Sequence, residues 1–186
     1  MGRTAHSKTL YSATMSLDGF IAGAGGDMSW LAEYVGGTAD PLVEDLIKEI
    51  GALLIGNRTF HGDDPNRGTP NEGPFGGAWH GPQFVLTHHT PDTPVPGVTF
   101  VGDVREAVAR STAAAGDRYV NILGADVGRQ CLEAGLLDEI LVFVAPVLLG
   151  DGVRLFDHPG GTRIRLERLH RGEGSTAAQL WYRVAR

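Results

Sequence analysis

The chain is predicted to fold as one α/β domain, a twisted and mostly parallel sheet with flanking helices and a C-terminal antiparallel hairpin. Three observations point there. Strand-like and helix-like segments alternate along most of the sequence. Ala52-Leu53-Leu54-Ile55 is a continuous apolar run between Gly51 and Gly56, the pattern of a strand covered on both faces by helices. The last two extended segments, Arg163 to Arg171 and Thr176 to Val184, meet across Gly172-Glu173-Gly174 and read as a hairpin.

Composition fits that class. The 186 residues are 42% apolar and 20% charged, enough for one ordered core without disulfides. We take residues 1–186 as a single domain with a flexible tail over 1–7. Net charge is −6, and no basic patch has the density that nucleic acid demands. Arg163, Arg165, Arg168 and Arg171 are interleaved with Glu167 and Glu173, which reads as a solvated strand face. Cys131 is the only cysteine, so no internal disulfide forms, as suits a reducing compartment. The longest apolar run, Ile140 to Leu149, is interrupted by Pro146 and falls short of the ~20 residues of a membrane span. No secretory signal is visible, and a cytoplasmic location is expected, with no membrane or nucleic-acid partner.

The elements follow in order. Thr9 to Met15 is a strand, Asp18-Gly19 a turn, and Phe20-Ile21-Ala22 resumes extended. Gly23 to Gly26 is a loop. Asp40 caps a helix with Pro41 at its first position, and Leu42, Val43, Leu46, Ile47 and Ile50 form its buried stripe. After the Ala52–Ile55 strand, Asn57 to Phe60 is a short helix. Gly62 to Gly81 is a long loop carrying Phe75 and Trp79, of a length that is usually functional or disordered. Gln83 to Thr87 and Val98 to Val101 are strands. Asp103 and Glu106 have capping-box spacing and open a helix to about Ala115. Arg118 to Leu123 is a strand, followed by a helix ending at Gly135. Ile140 to Val147 is a strand near the sheet edge.

Three strand ends place donors where an anion could sit. One is Ala52–Ile55 running into Gly56-Asn57-Arg58-Thr59. Another is Arg118–Leu123 running into Gly124-Ala125-Asp126-Val127-Gly128-Arg129. The third is Phe84-Val85-Leu86 running into Thr87-His88-His89. Ligands of open α/β sheets collect at carboxyl strand ends, and a dinucleotide with several phosphates fits three of them. The pattern is not G-x-G-x-x-G. His61, Asp63, Asp64, His80, His88 and His89 lack the spacing of helical metal ligands, so no metal is expected. No G-x-S-x-G elbow exists for a hydrolase. Cys131 reads as a core residue.

Met15-Ser16-Leu17-Asp18-Gly19-Phe20-Ile21-Ala22, Leu54-Ile55-Gly56-Asn57-Arg58-Thr59-Phe60, Gly124-Ala125-Asp126 with Leu136-Leu137-Asp138-Glu139-Ile140, and Pro146-Val147-Leu148-Leu149-Gly150-Asp151-Gly152 occur in that order. The set resembles the dihydrofolate-reductase-like superfamily, on the branch of the C-terminal reductase domain of the riboflavin-biosynthesis deaminase–reductase. The resemblance spans roughly residues 8 to 184. It implies an NADPH-dependent reductase of a small heterocyclic substrate. Gly56, Asn57, Arg58 and Thr59 would lie along the phosphates, and Thr87, His88 and His89 near the 2′-phosphate. Leu123 would lead into Gly124, Ala125, Asp126, Val127 and Gly128 around the pyrophosphate, with the Gly124–Ala125 bond cis. Ala13, Ile21 and Ala22 would line the nicotinamide, and Trp30 the substrate loop. His89 stands where relatives often carry Arg. Related domains pair as homodimers, so a homodimer is expected here through the strand from Ile140 or the neighbouring hairpin.

Hydride transfer leaves negative charge on the reduced substrate, so an acid must supply a proton. Asp18 at the turn, and Asp45 and Glu49 on the helix from Pro41, are the candidate catalytic residues. Trp30, Trp79 and that helix would wall the substrate pocket. The competing class is a non-catalytic member of the fold that binds a nucleotide or a flavin.

Overall fold

The computed structural model describes residues 7–35, 40–62, 66, 68–70, 72–173 and 177–185. The strands are β1 (Thr9–Ser16), β2 (Phe20–Ala22), β3 (Ile50–Gly56), β4 (Gln83–Leu86), β5 (Val98–Val101), β6 (Tyr119–Leu123), β7 (Glu139–Ala145), β8 (Val153–Arg154), β9 (Leu166–Glu173) and β10 (Ala178–Val184). The helices are α1 (Ala32–Val35), α2 (Pro41–Glu49), α3 (Asn57–Phe60), α4 (Val104–Ala115) and α5 (Ala125–Glu133). Eight strands form one sheet in the order β5-β4-β3-β6-β1-β7-β10-β9, and β2 pairs with β8 apart from it. From β5 to β7 every pairing is parallel, while β10 is antiparallel to both β7 and β9. The expected mixed sheet with a closing antiparallel pair is therefore present.

Local sequence explains the elements. β3 reads Ile-Gly-Ala-Leu-Leu-Ile-Gly and is buried at its first six positions. One face packs Leu53, Ile55, Val85, Leu10 and Leu141 against Leu46 of α2 and Trp79. The other packs Tyr11, Leu54 and Ile122 against Ala107 and Val108 of α4 and Val127 of α5. Gly51 is required because a Cβ there would strike the Ala115 backbone at the end of α4. The Asp40 carboxylate accepts from Leu42 N at 2.9 Å to cap α2. Asp103 accepts from Glu106 N at 2.9 Å to cap α4. Glu106 does not complete the box, because its carboxylate pairs with Arg110 at 3.3 Å.

Three expectations need correction. The strand from residue 140 begins at Glu139 and stops at Ala145, because Pro146 lacks an N–H for the ladder. As expected it lies near the edge and beside the closing hairpin, but β10 and β9 lie outside it and cover its free side. Ile140, Leu141 and Val142 are consequently buried and offer no surface to a second copy. Every described peptide bond is trans, Gly124–Ala125 included. Gly174, placed in the hairpin turn, and residues 1–6 of the expected tail lie outside the described residues. Cys131 is fully buried, and desolvation pushes its thiol up to about 12, leaving it an inert core side chain.

Candidate functional site at the carboxyl ends of the parallel strands

Sheet register brings the three anion-favouring strand ends into one row. Gly56 pairs with Leu86, so Thr87 adjoins the start of α3. Ile55 pairs with Leu123, so Gly56 adjoins Gly124. Tyr11 pairs with Ile122, and the same register two residues on sets Ala13 level with Gly124. Four neighbouring strands span roughly 15 Å at the usual ~4.8 Å spacing.

The loops at these ends touch. A Cβ on Gly124 would stand 2.7 Å from the Thr59 hydroxyl and 3.7 Å from Gly56 N. A Cβ on Gly56 would meet Val127 Cγ2 at 3.2 Å. Only glycine suits Gly124 on conformational grounds too, at φ 111. The two helices that begin here differ from α2 and α4, since neither Gly56 nor Gly124 supplies a side-chain cap. The first amides of α5 thus have no side-chain acceptor from their own N-cap, at the positive end of a helix dipole.

Charges follow the same plan. Arg58 and Thr59 are exposed on α3. Asp126, in the first turn of α5, binds Arg129 at 2.8 Å and accepts from Gln130 Nε2 at 2.7 Å. Burial pushes the Asp126 carboxyl up, but those two hydrogen bonds and the charges of Arg129 and Arg58 outweigh it and lower it overall. At the end of β4, Thr87 is buried and its Oγ1 accepts from His89 N at 3.1 Å. That turn leaves the His88 and His89 side chains exposed.

Beside β1, Ile21 and Ala22 lie on β2, which pairs with β8 through Phe20↔Arg154 and Ala22↔Val153. Asp18 is engaged here as an acceptor. Its carboxylate takes hydrogen bonds from Ser16 Oγ at 2.5 Å, Leu149 N at 3.1 Å and Gly150 N at 2.8 Å. The Ser16 hydroxyl first, and then the two amides against some desolvation, hold the carboxyl down at about 2. A group so acidic stays ionised near neutrality and is a poor proton donor.

The other expected acids are also elsewhere. Asp45 is 75% exposed and paired with Lys48 at 2.8 Å. Glu49 ends α2 in the charge environment of Tyr119, which begins β6, so it sits at the amino ends of the parallel strands. The carboxylate that the fold does bring in is Asp40. Its Oδ2 accepts from Gln179 Nε2 at 2.5 Å. Gln179 lies opposite Phe143, and Phe143 opposite Thr14 near the carboxyl end of β1. Asp40 reads from sequence only as a helix cap, and a partner 139 residues away leaves no local signal. Trp30 is half-buried, its ring 6.1 Å from that of Tyr34, and its indole N–H is buried without a partner. Trp79 is a core residue instead of a pocket wall. It is 6% exposed, and its Nε1 donates to Ile50 O at 3.1 Å. Among the described residues no three His, Cys, Asp or Glu side chains converge as metal ligands, and Asp63 and Asp64 lie outside them.

Comparison with known proteins agrees with this architecture. The family model described as the RibD C-terminal domain matches residues 8–177. The uncharacterized protein YwjB of Bacillus subtilis (strain 168) is 27% identical over 164 residues, covering 86% of this chain and 89% of its own. A crystal structure of a candidate riboflavin biosynthesis protein from Shewanella sp. PV-4 superposes with a TM-score of 0.75 at 23% identity, covering 96% of this chain and 99% of that one. Dihydrofolate reductase from Enterococcus faecalis, complexed with NADP(H), superposes with a TM-score of 0.60 at 17% identity, covering 96% and 97%. These likenesses in structure show the dihydrofolate-reductase-like fold.

Proposed function

The chain belongs to the RibD C-terminal domain family, and from that premise we propose that it is an NADPH-dependent reductase of a small heterocyclic organic substrate. The observation that carries the reading is the contact between the Thr59 and Gly124 loops, at an α5 N-terminus without a side-chain cap, level with Ala13. Backbone amides from Gly124 to Gly128, with Arg58 and Thr59, would hold the pyrophosphate. Thr87, His88 and His89 would face the adenosine end, and Ala13, Ile21 and Ala22 the nicotinamide. The donor set suits an elongated, multiply charged anion.

Bound NADPH supplies a hydride. Asp40 Oδ2, oriented by Gln179 Nε2, is our assignment for the carboxylate that accepts a hydrogen bond from a substrate N–H. Asp40→Asn would then abolish turnover while leaving NADPH affinity intact. A second reading, a non-catalytic nucleotide- or flavin-binding member of the fold, draws on the hydrogen bonds that already engage both Asp40 oxygens. A thermal-shift series with NADPH, NADH, FMN and no ligand separates the two. At 100 times Kd a specific ligand stabilises by ~2.7 kcal/mol. NADPH stabilisation with reductase turnover supports the enzyme, and FMN stabilisation without it supports the second reading. A homodimer working in the cytoplasm completes the proposal. No described helix is long and apolar enough to cross a membrane.

A further inference from the structure

Strand β2 carries Ile21 and Ala22 yet belongs to no ladder of the main sheet. It is laced instead to residues 147–155. Leu17 N donates to Val147 O at 2.8 Å, and Leu155 N to Gly19 O at 2.9 Å. Arg154 lies over the Phe20 ring at 4.6 Å. A Cβ on Gly152 would strike Ala22 O, so the two segments meet backbone to backbone. Within this lacing one side chain bridges both segments by hydrogen bonds. Asp18 binds Leu149 N and Gly150 N across 131 and 132 residues of chain, while Ser16 Oγ donates to it and accepts from Phe20 N at 3.0 Å.

We propose that Asp18 is a positioning residue that fixes β2, and thereby the Ile21–Ala22 wall, against the nicotinamide end of the bound cofactor. The inference rests on the NADPH reading above. It ties the Ser16-Leu17-Asp18-Gly19 segment to Leu148-Leu149-Gly150-Asp151-Gly152, since the side chain in one needs amides in the other. The Asp18 bonds form at the carboxyl ends of β1 and β7, and their partners Ser16, Leu149 and Gly150 belong neither to α3 nor to α5. The effect of Asp18 should therefore fall on one half of the dinucleotide only.

The experiment compares NADPH with 2′,5′-ADP, which keeps the adenosine and its phosphates and lacks the nicotinamide. Calorimetric affinities are measured for wild type, Asp18→Ala, Asp18→Asn and Ser16→Ala, each checked for a cooperative thermal transition. Losing charge-assisted bonds that hold the wall should weaken NADPH by roughly tenfold and leave 2′,5′-ADP within about twofold. Ser16→Ala should shift the same way by less, and it carries the test if the Asp18 variants do not fold. Equal weakening of both ligands, or no change in either, overturns the positioning role while the cofactor reading stands. A wild type that binds neither ligand overturns both.

Discussion

The Thr59 hydroxyl lies 2.7 Å from the point where a Cβ on Gly124 would stand, so the α3 and α5 loops leave no space for a side chain between them. Gly124 also has φ 111 and ψ 137, a glycine-dominated conformation costing an L-residue roughly 1–3 kcal/mol. Gly124→Ala should therefore lower stability by at least that much and weaken NADPH. Adding Thr59→Ala should relieve the contact and recover only part of the loss, because the backbone strain remains. Thermal melts and NADPH titrations on the single and double variants check this.

Arg58 and Asp126 set the charge of the same cradle. Arg58→Ala should cost NADPH binding ~1.5–3 kcal/mol, the range of a charge-assisted hydrogen bond. Asp126→Ala should do the reverse, removing an anion from the α5 N-terminus and leaving Arg129 paired with Glu133 alone. Its cost appears in folding, where an acid in a first helical turn contributes ~0.3–1 kcal/mol. If Arg58→Ala binds NADPH as wild type does, the phosphates do not lie along this strand end.

Gly128 faces the ring of Tyr11, and a Cβ there would come within 2.7 Å of Cε1 and 2.8 Å of Cδ1. Tyr11 is 1% exposed and cannot retreat. Phe156 stands edge-on to it at 5.3 Å. Gly128→Ala should destabilise the protein by ~1–3 kcal/mol through overpacking. Tyr11→Phe should cost less, since it gives up only a 3.3 Å bond to Leu155 O. Urea denaturation of the two variants ranks them, and a neutral Gly128→Ala would mean that α5 shifts freely on β1.

Legibility in the sequence followed the range of the interactions. α2 and α4 could be read because Asp40 and Asp103 cap amides two and three residues away. β3 could be read because burial on both faces leaves an unbroken apolar run between glycines. The Gly56 and Gly124 strand ends were visible for the same local reason. The surroundings of Asp18, Asp40 and Trp79 leave no local signal, because their partners are Gly150, Gln179 and Ile50, at 132, 139 and 29 residues' distance.

Asp18 also predicts a pH dependence. Its carboxyl is lowered from an ordinary 3.8 to about 2 in the folded protein, chiefly by the Ser16 hydroxyl. A depressed carboxyl stabilises the fold above its unfolded value and ceases to do so as protonation overtakes the folded value. Stability should thus fall as pH drops from about 4 toward 2, more steeply in wild type than in Asp18→Asn. Equilibrium unfolding at stepped pH measures the slopes. Parallel slopes would show that the Asp18 bonds persist in the unfolded chain or contribute nothing.

The expected homodimer must use a surface other than β7. Its strand edges are taken by β1 and β10, and its side chains are buried except for the half-buried Phe143 and Val144. The remaining open edge on that side belongs to β9, where Leu166 and Leu169 are 42% and 41% exposed. An edge strand with unpaired amides and apolar side chains invites association unless it is charged or covered. The charges beside those leucines, Arg165, Glu167 and Arg168, are of mixed sign, so Glu167 of one copy can face an arginine of the other. We therefore expect a homodimer through β9, and expect Leu166→Ser with Leu169→Ser to yield a monomer that keeps its NADPH affinity. Light scattering decides it at micromolar concentration. A wild-type mass near 19.8 kDa, unchanged on tenfold concentration, would remove the interface. A dimer that survives both serines would move it to another face.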